Sequence, residues 1–174
     1  SNDKYSNSPN NDTIYSLSWI DLSDEPVVLH APQGDGRYVD IELADFYSDV
    51  FGYVSPHMHE GKAITYLLVG PEWNGPIPEG KFDGVLRAPT PWVWTVARVY
   101  TSGGEDLATA KEIQSEFVLA PLSQWNSGKA TPSTRKDVLD PFPVENDPLA
   151  DFRTMNAAMK ENPPPARDAA LMRE

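Results

Sequence analysis

The chain of 174 residues contains no cysteine. Disulfides, zinc ribbons, thiol nucleophiles and iron–sulfur ligation are thereby excluded. The absence does not fix a compartment, because a cysteine-free chain folds in either redox environment. No apolar run reaches the roughly 18 residues that a helix needs to cross a bilayer. Basic residues are few: 14 Lys and Arg stand against 26 Asp and Glu, for a net charge of −12. Such a chain repels phosphate backbones and anionic lipid surfaces, and its Lys and Arg are scattered singly, so neither nucleic acid nor membrane is expected as a partner. Residues 1–11 are polar throughout, so no signal peptide is expected there. No G-x-S-x-G elbow occurs, and neither Gly34-Asp35-Gly36 nor Gly103-Gly104 has the spacing or the lysine of a phosphate loop. No complete catalytic motif is present and no cofactor is expected. A hydrolytic triad around His30 or a carboxylate pair would be a tertiary arrangement that sequence does not display.

What is abundant is punctuation, with 17 prolines and 11 glycines. Short strands joined by turns are therefore predicted up to about residue 105. Tyr15, Leu17 and Trp19 alternate with Ser16 and Ser18, which predicts a half-buried strand with the serine face outward. A second strand is predicted over 26–31, followed by a hairpin turn at Gln33-Gly34-Asp35-Gly36. In the segment 37–43, Val39, Ile41 and Leu43 share one face, and Asp40 and Glu42 the other. Residues 45–54 form a further extended, aromatic-rich segment. Residues 64–69 read as a central strand, 70–80 as a loop and 85–88 as a short strand. Residues 92–100 carry the longest β signal: Trp92, Trp94, Val96, Arg98 and Tyr100 occupy one face and Val93, Thr95, Ala97 and Val99 the other. With both faces largely apolar, this strand is expected at a sheet centre. The period then becomes helical, with Leu107, Ala110, Ile113 or Gln114, and Phe117 in phase, Asp106 as N-cap and Pro121 as the stop. A second helix is expected over 148–160, with Leu149, Phe152, Met155 and Met159 in a stripe, ended by Pro163-Pro164-Pro165.

The expected fold is mainly β, a β-sandwich or partly closed barrel, with one packed helix near 106–118 and a helical C-terminal extension. Residues 1–125 form the all-β domain, 126–147 a polar connector and 148–174 the extension. The last residues enter a further helical turn as the chain stops, which suggests a piece of something longer.

Ordered matches then point to a family: Ser8-Pro9-Asn10-Asn11-Asp12-Thr13-Ile14-Tyr15, Trp19-Ile20-Asp21-Leu22-Ser23, Pro26-Val27-Val28-Leu29, Arg37-Tyr38, Gly70-Pro71-Glu72-Trp73, Arg87-Ala88-Pro89-Thr90, Trp94 with Arg98, Glu105-Asp106-Leu107 and Leu119-Ala120-Pro121-Leu122. Over roughly 8–125 the chain resembles domain-of-unknown-function family 1254. The resemblance implies an all-β domain that usually continues into a second, jelly-roll-type β domain, family 1214, in proteins many of which look exported from bacterial cells. A periplasmic or secreted location is implied on that ground only. The family supplies no activity. The loop Ser55-Pro56-His57-Met58-His59-Glu60-Gly61 departs from the family pattern, which tends to be basic and Thr-rich there.

Two constellations could carry chemistry. His57 and His59 would share one face of a strand, within reach of one metal ion, with Glu60 as a further ligand. The alternative is a solvated loop after Pro56. Asn10, Asn11, Asp12 and Thr13 form a strand-entry turn or, with Tyr15, Arg37 and Arg98, line a site for a small polar ligand. Arg98 shares a face with Trp94 and needs a carboxylate partner, for which Asp12, Asp40 and Asp45 are candidates. Among the tryptophans, Trp19 and Trp94 are expected in the core, and Trp73 and Trp125 in exposed loops. The leading functional expectation is an accessory or binding β domain that docks a C-terminal β domain, another subunit or a small polar ligand. The alternative is the N-terminal half of a hydrolase-like enzyme whose site another domain completes.

Overall fold

A computed structural model describes residues 10–127, 147–168 and 170–173. The expected connector over 126–147 lies almost entirely outside the described residues, as does most of the polar lead-in. Eight strands form two four-stranded sheets. The strands are β1 (Thr13–Asp21), β2 (Val27–Ala31), β3 (Val39–Asp45), β4 (Val50–Val54), β5 (Ile64–Val69), β6 (Gly84–Arg87), β7 (Trp92–Tyr100) and β8 (Val118–Pro121). The first sheet has the order β1-β7-β3-β4 and the second β6-β5-β2-β8. All neighbours run antiparallel except β5 and β6. The molecule is thus a sandwich of two separate sheets and not a closed barrel.

Strand β7 is central, as its two apolar faces require, and so is β5. Between the sheets, Leu29, Ile41, Leu43, Ile64, Leu68 and Val93 are almost wholly shielded from solvent. Each side chain buried in this way contributes about 1.5–3 kcal/mol. The predicted hairpin at 33–36 is not one: β2 and β3 belong to different sheets. The turn chemistry is right, with Asp35 at φ 49° and Gly36 at φ 85°, but it carries the chain from one layer to the other. Turn residues specify a reversal of direction and not the identity of the paired strands.

Helix α1 (Asp106–Ser115) is shorter than the periodicity suggested. Its buried Ala110 and Ile113 pack on Val39 and Val99, closing one end of the sandwich. Asp106 is not the N-cap, a place taken by Glu105 without a side-chain hydrogen bond. Asp106 instead accepts from the backbone N–H of Ser102 and from Arg37. Pro121 does not end α1 either, because Val118–Pro121 is edge strand β8 on β2. Proline is tolerated at a sheet edge, where the missing N–H is not needed. The short helix α2 (Leu122–Ser127) follows, its first turn held by Glu25, which accepts from the backbone N–H and hydroxyl of Ser123.

Helix α3 (Ala150–Glu161) buries Ala150 and Ala158, while Leu149, Phe152 and Met155 of the expected stripe stand exposed. The segment is nevertheless fastened to the sandwich. Asn162 is 0% exposed. Its Oδ1 accepts from the backbone N–H of Trp92 at 2.7 Å, its carbonyl accepts from the Tyr47 hydroxyl at 2.8 Å, and its Nδ2 donates to the Ala158 carbonyl. Arg167 donates to Asp49, in the turn between β3 and β4, and to Asp45 at the end of β3.

Candidate functional site: the open face of the first sheet

The two outer faces of the sandwich are treated differently. On the second sheet, Val28, Leu67 and Val69 are covered by Trp73, Phe82, Leu122 and Trp125. On the first sheet, β1 is turned the opposite way from expectation. Trp19 is 59% exposed and Leu17 61% exposed, with Tyr15 exposed beside them. Ser16 and Ser18 point inward instead; the Ser16 hydroxyl accepts from Gln114 of α1. Among the tryptophans, Trp19 departs from the expectation. Trp19 lies at the surface, 6.4 Å from the Phe46 ring, Trp94 is only half-buried, and Trp73 and Trp125 pack against the second sheet.

Strand register fixes what accompanies Tyr15, Leu17 and Trp19. Tyr15 lies opposite Arg98, which lies opposite Asp40; Leu17, Val96, Glu42 and Tyr53 form the next row. Trp19 and Trp94 pair in a third row. Tyr38 and Tyr100 extend the exposed aromatic surface at one end. At the centre, Arg98 Nη1 is 3.2 Å from Asp40 Oδ2 and 3.1 Å from Glu42 Oε2. The Tyr53 hydroxyl donates to Glu42 at 3.1 Å, and the guanidinium carbon of Arg98 lies 5.9 Å from the Tyr15 ring centroid. Asp40 is only 1% exposed, paired with Arg98 through Oδ2 and flanked by the Tyr38 hydroxyl.

Electrostatics follow from this crowding. Burial pushes the Asp40 carboxyl above its ordinary value, although Tyr38 and Arg98 oppose the shift. The Tyr38 hydroxyl is pushed up to about 12, by burial first and by its hydrogen bond to Asp40 second. Tyr53 is raised because its proton is held by Glu42. Burial disfavours the Arg98 charge, but the hydrogen bond to Glu42 and the nearby carboxylates outweigh it, so that guanidinium is held more firmly protonated.

Of the residues singled out in the sequence, Tyr15 and Arg98 are brought together in this cluster. Arg37 is engaged separately, in a bidentate pair with Asp106 at 3.0 and 3.1 Å, and also donates to the Tyr100 carbonyl. Asn11 and Asp12 are exposed in a strand-entry turn closed by Asn10, whose Oδ1 accepts from the backbone N–H groups of Asp12 and Thr13. The Asp12 carbonyl accepts from Thr101, and Asn10 Nδ2 bonds the Tyr15 hydroxyl. His57 and His59 sit on a 3-10 turn, Pro56–His59, and not on a strand. His57 lies beside the Tyr38 ring, whereas His59 bonds the Tyr66 hydroxyl at 3.3 Å. Among the described residues no group of three or more His, Asp or Glu is placed to hold a metal ion. A cleft of about 330 Å³ opens beside this turn, lined by His59, Lys62 and Asp83 among others, but not by Asp12 or Arg98. Glu42 and Tyr53 were not singled out from sequence. Glu42 does alternate with Val39, Ile41 and Leu43, which sets it on the same outward face as Asp40.

The family model described as "Protein of unknown function (DUF1254)" matches residues 1–121. The chain belongs to this family. No curated protein matches it. Its fold is similar to that of a crystal structure of the VPA0106 protein from Vibrio parahaemolyticus, with a TM-score of 0.70 and 22% identity over 89% of this chain. The match spans only 38% of that protein's chain. Among the described residues of this DUF1254 chain no helix is long and apolar enough to cross a membrane.

Proposed function

We propose that this DUF1254 chain is a binding domain whose first sheet docks, by its outer face, a second β domain of a longer polypeptide. One observation carries the proposal: β1 turns Tyr15, Leu17 and Trp19 to solvent and its serines inward. An isolated sandwich gains nothing from that inversion, because it forfeits the burial of three large side chains. The second sheet shows the contrasting arrangement, its apolar outer face covered by the chain itself. The composition of the open face also suits a protein interface, with aromatic residues around a central arginine. The similar Vibrio parahaemolyticus protein is longer than the matched region, and the family resemblance implies a following β domain. Both support a partner within the same polypeptide.

The test compares a Leu17→Ser, Trp19→Ser double variant in two settings. In the 174-residue chain the substitutions lie at the surface, so thermal unfolding should shift by no more than about 0.5 kcal/mol per site. In a polypeptide carrying the second domain, the same change should loosen the domains and lower the melting temperature of their joint transition. Equal effects in both settings would rule the interface out.

A further inference from the structure

Strand β1 is an edge of the first sheet, and its backbone has one committed side. At the two ends of its ladder with β7, the Thr101 N–H donates to the Asp12 carbonyl and the Leu22 N–H donates to the Pro91 carbonyl, each at 2.9 Å. Bonded and non-bonded pairs alternate along an antiparallel ladder. In the observed register, Ile14, Ser16, Ser18 and Ile20 therefore turn their backbone groups to β7. Tyr15, Leu17 and Trp19 turn theirs to the outer edge. Gln114 of α1 confirms the direction, because its Nε2 donates to the Tyr15 carbonyl at 2.8 Å from that side. Among the described residues, nothing bonds the outward N–H and carbonyl groups of Leu17 and Trp19.

The other three edges are blunted in ways that discourage strand addition. Strand β8 has four residues and ends at Pro121, and β6 has four residues and ends at Arg87. Strand β4 contains Gly52 and meets an irregular register at Leu43 and Ala44. Strand β1 runs for nine residues with no proline, glycine or bulge, and its single charge is Asp21 at the end. The same residues that offer free backbone groups, Leu17 and Trp19, also expose their side chains. A free edge beside apolar side chains is the arrangement in which an added strand gains main-chain bonds and side-chain contacts together.

We infer that β1 is an acceptor edge: a β-strand of the second domain pairs with Leu17 and Trp19 and extends the first sheet. The inference rests on the docking function proposed above and deepens it, since packing against the face alone requires no main-chain bonds. Two observations select this occupant. Well over half of the similar Vibrio parahaemolyticus chain lies outside the match, which leaves ample length for a domain that supplies a strand. A second copy of this chain is repelled by the net charge of −12.

The test is amide hydrogen exchange, followed by NMR, in the 174-residue chain and in a longer polypeptide that carries the proposed second domain. In the shorter chain the Leu17 and Trp19 amides should exchange freely, while those of Ser16 and Ser18, bonded to β7, are protected. In the longer polypeptide the Leu17 and Trp19 amides should slow by at least about a hundredfold. A second comparison sets Leu17→Pro against Leu17→Ser in the longer polypeptide. Both remove the apolar side chain, but only proline removes the outward N–H. Proline should loosen the domains about tenfold more than serine, the worth of one main-chain bond. The exchange measurement uses unmodified chains and does not depend on either variant folding. Free exchange of Leu17 and Trp19 in the longer polypeptide overturns the inference, and so does their protection in the shorter chain. If they exchange freely while the Leu17→Ser, Trp19→Ser change still loosens the longer polypeptide, the acceptor edge falls and the docking face stands. If both fail, neither edge nor face is an interface.

Discussion

Asn162 shows how much a single side chain can organise. It lies some seventy positions along the chain from Trp92, as the residue numbers show, yet supplies the acceptor for the buried Trp92 N–H. Asn162→Ala leaves that N–H unsatisfied and should cost about 1–3 kcal/mol in chemical denaturation, with the cooperativity of unfolding retained. A loss well under that range would mean that the α3 segment is not held by this residue. Asp106 makes a second residue-scale prediction. Its hydrogen bonds from Arg37 and from the Ser102 N–H hold the carboxyl at about 2, against an ordinary 3.8. A depressed carboxyl stabilises the fold above its unfolded value, and that contribution is lost as pH falls from about 4 towards 2. Thermal unfolding between pH 2 and 5 should therefore show a shallower pH dependence in Asp106→Asn than in the parent. An unchanged slope would show that the Arg37 pair contributes nothing to acid sensitivity.

At the scale of elements, periodicity identified most strands, and it failed where a decision was tertiary. Strand β7 was legible because two apolar faces leave only a central position. Strand β1 was legible as a strand, but alternation distinguishes two faces without saying which one another layer will cover. The aromatic face of β1 was therefore expected inside and is found outside. Strand β8 was missed because a four-residue run ending at Pro121 reads as the end of a helix. The turn at 33–36 was legible as a turn but not as a passage between sheets. The site was legible in the same partial way. Arg98 on an apolar face called for a carboxylate, and Asp40 was among the candidates. Glu42 and Tyr53 enter through the pairing of β3 with β7 and β4, which no local pattern contains. Arg37 shared the sequence prominence of Arg98, but the fold commits it to Asp106 on α1.

At the scale of the whole molecule, one asymmetry organises the account. A −12 sandwich covers one outer face with its own Trp73, Phe82 and Trp125 and leaves the other bare, with aromatics around a carboxylate-rich centre. Self-association through that face works against the net charge, and a differently charged domain does not. The most direct test is hydroxyl-radical footprinting of Tyr15, Leu17, Trp19 and Tyr53, in the 174-residue chain and in a longer polypeptide that carries the proposed second domain. All four should be readily oxidised in the shorter chain and strongly protected in the longer one. Equal oxidation of Trp19 and Leu17 in the two settings would contradict the docking proposal.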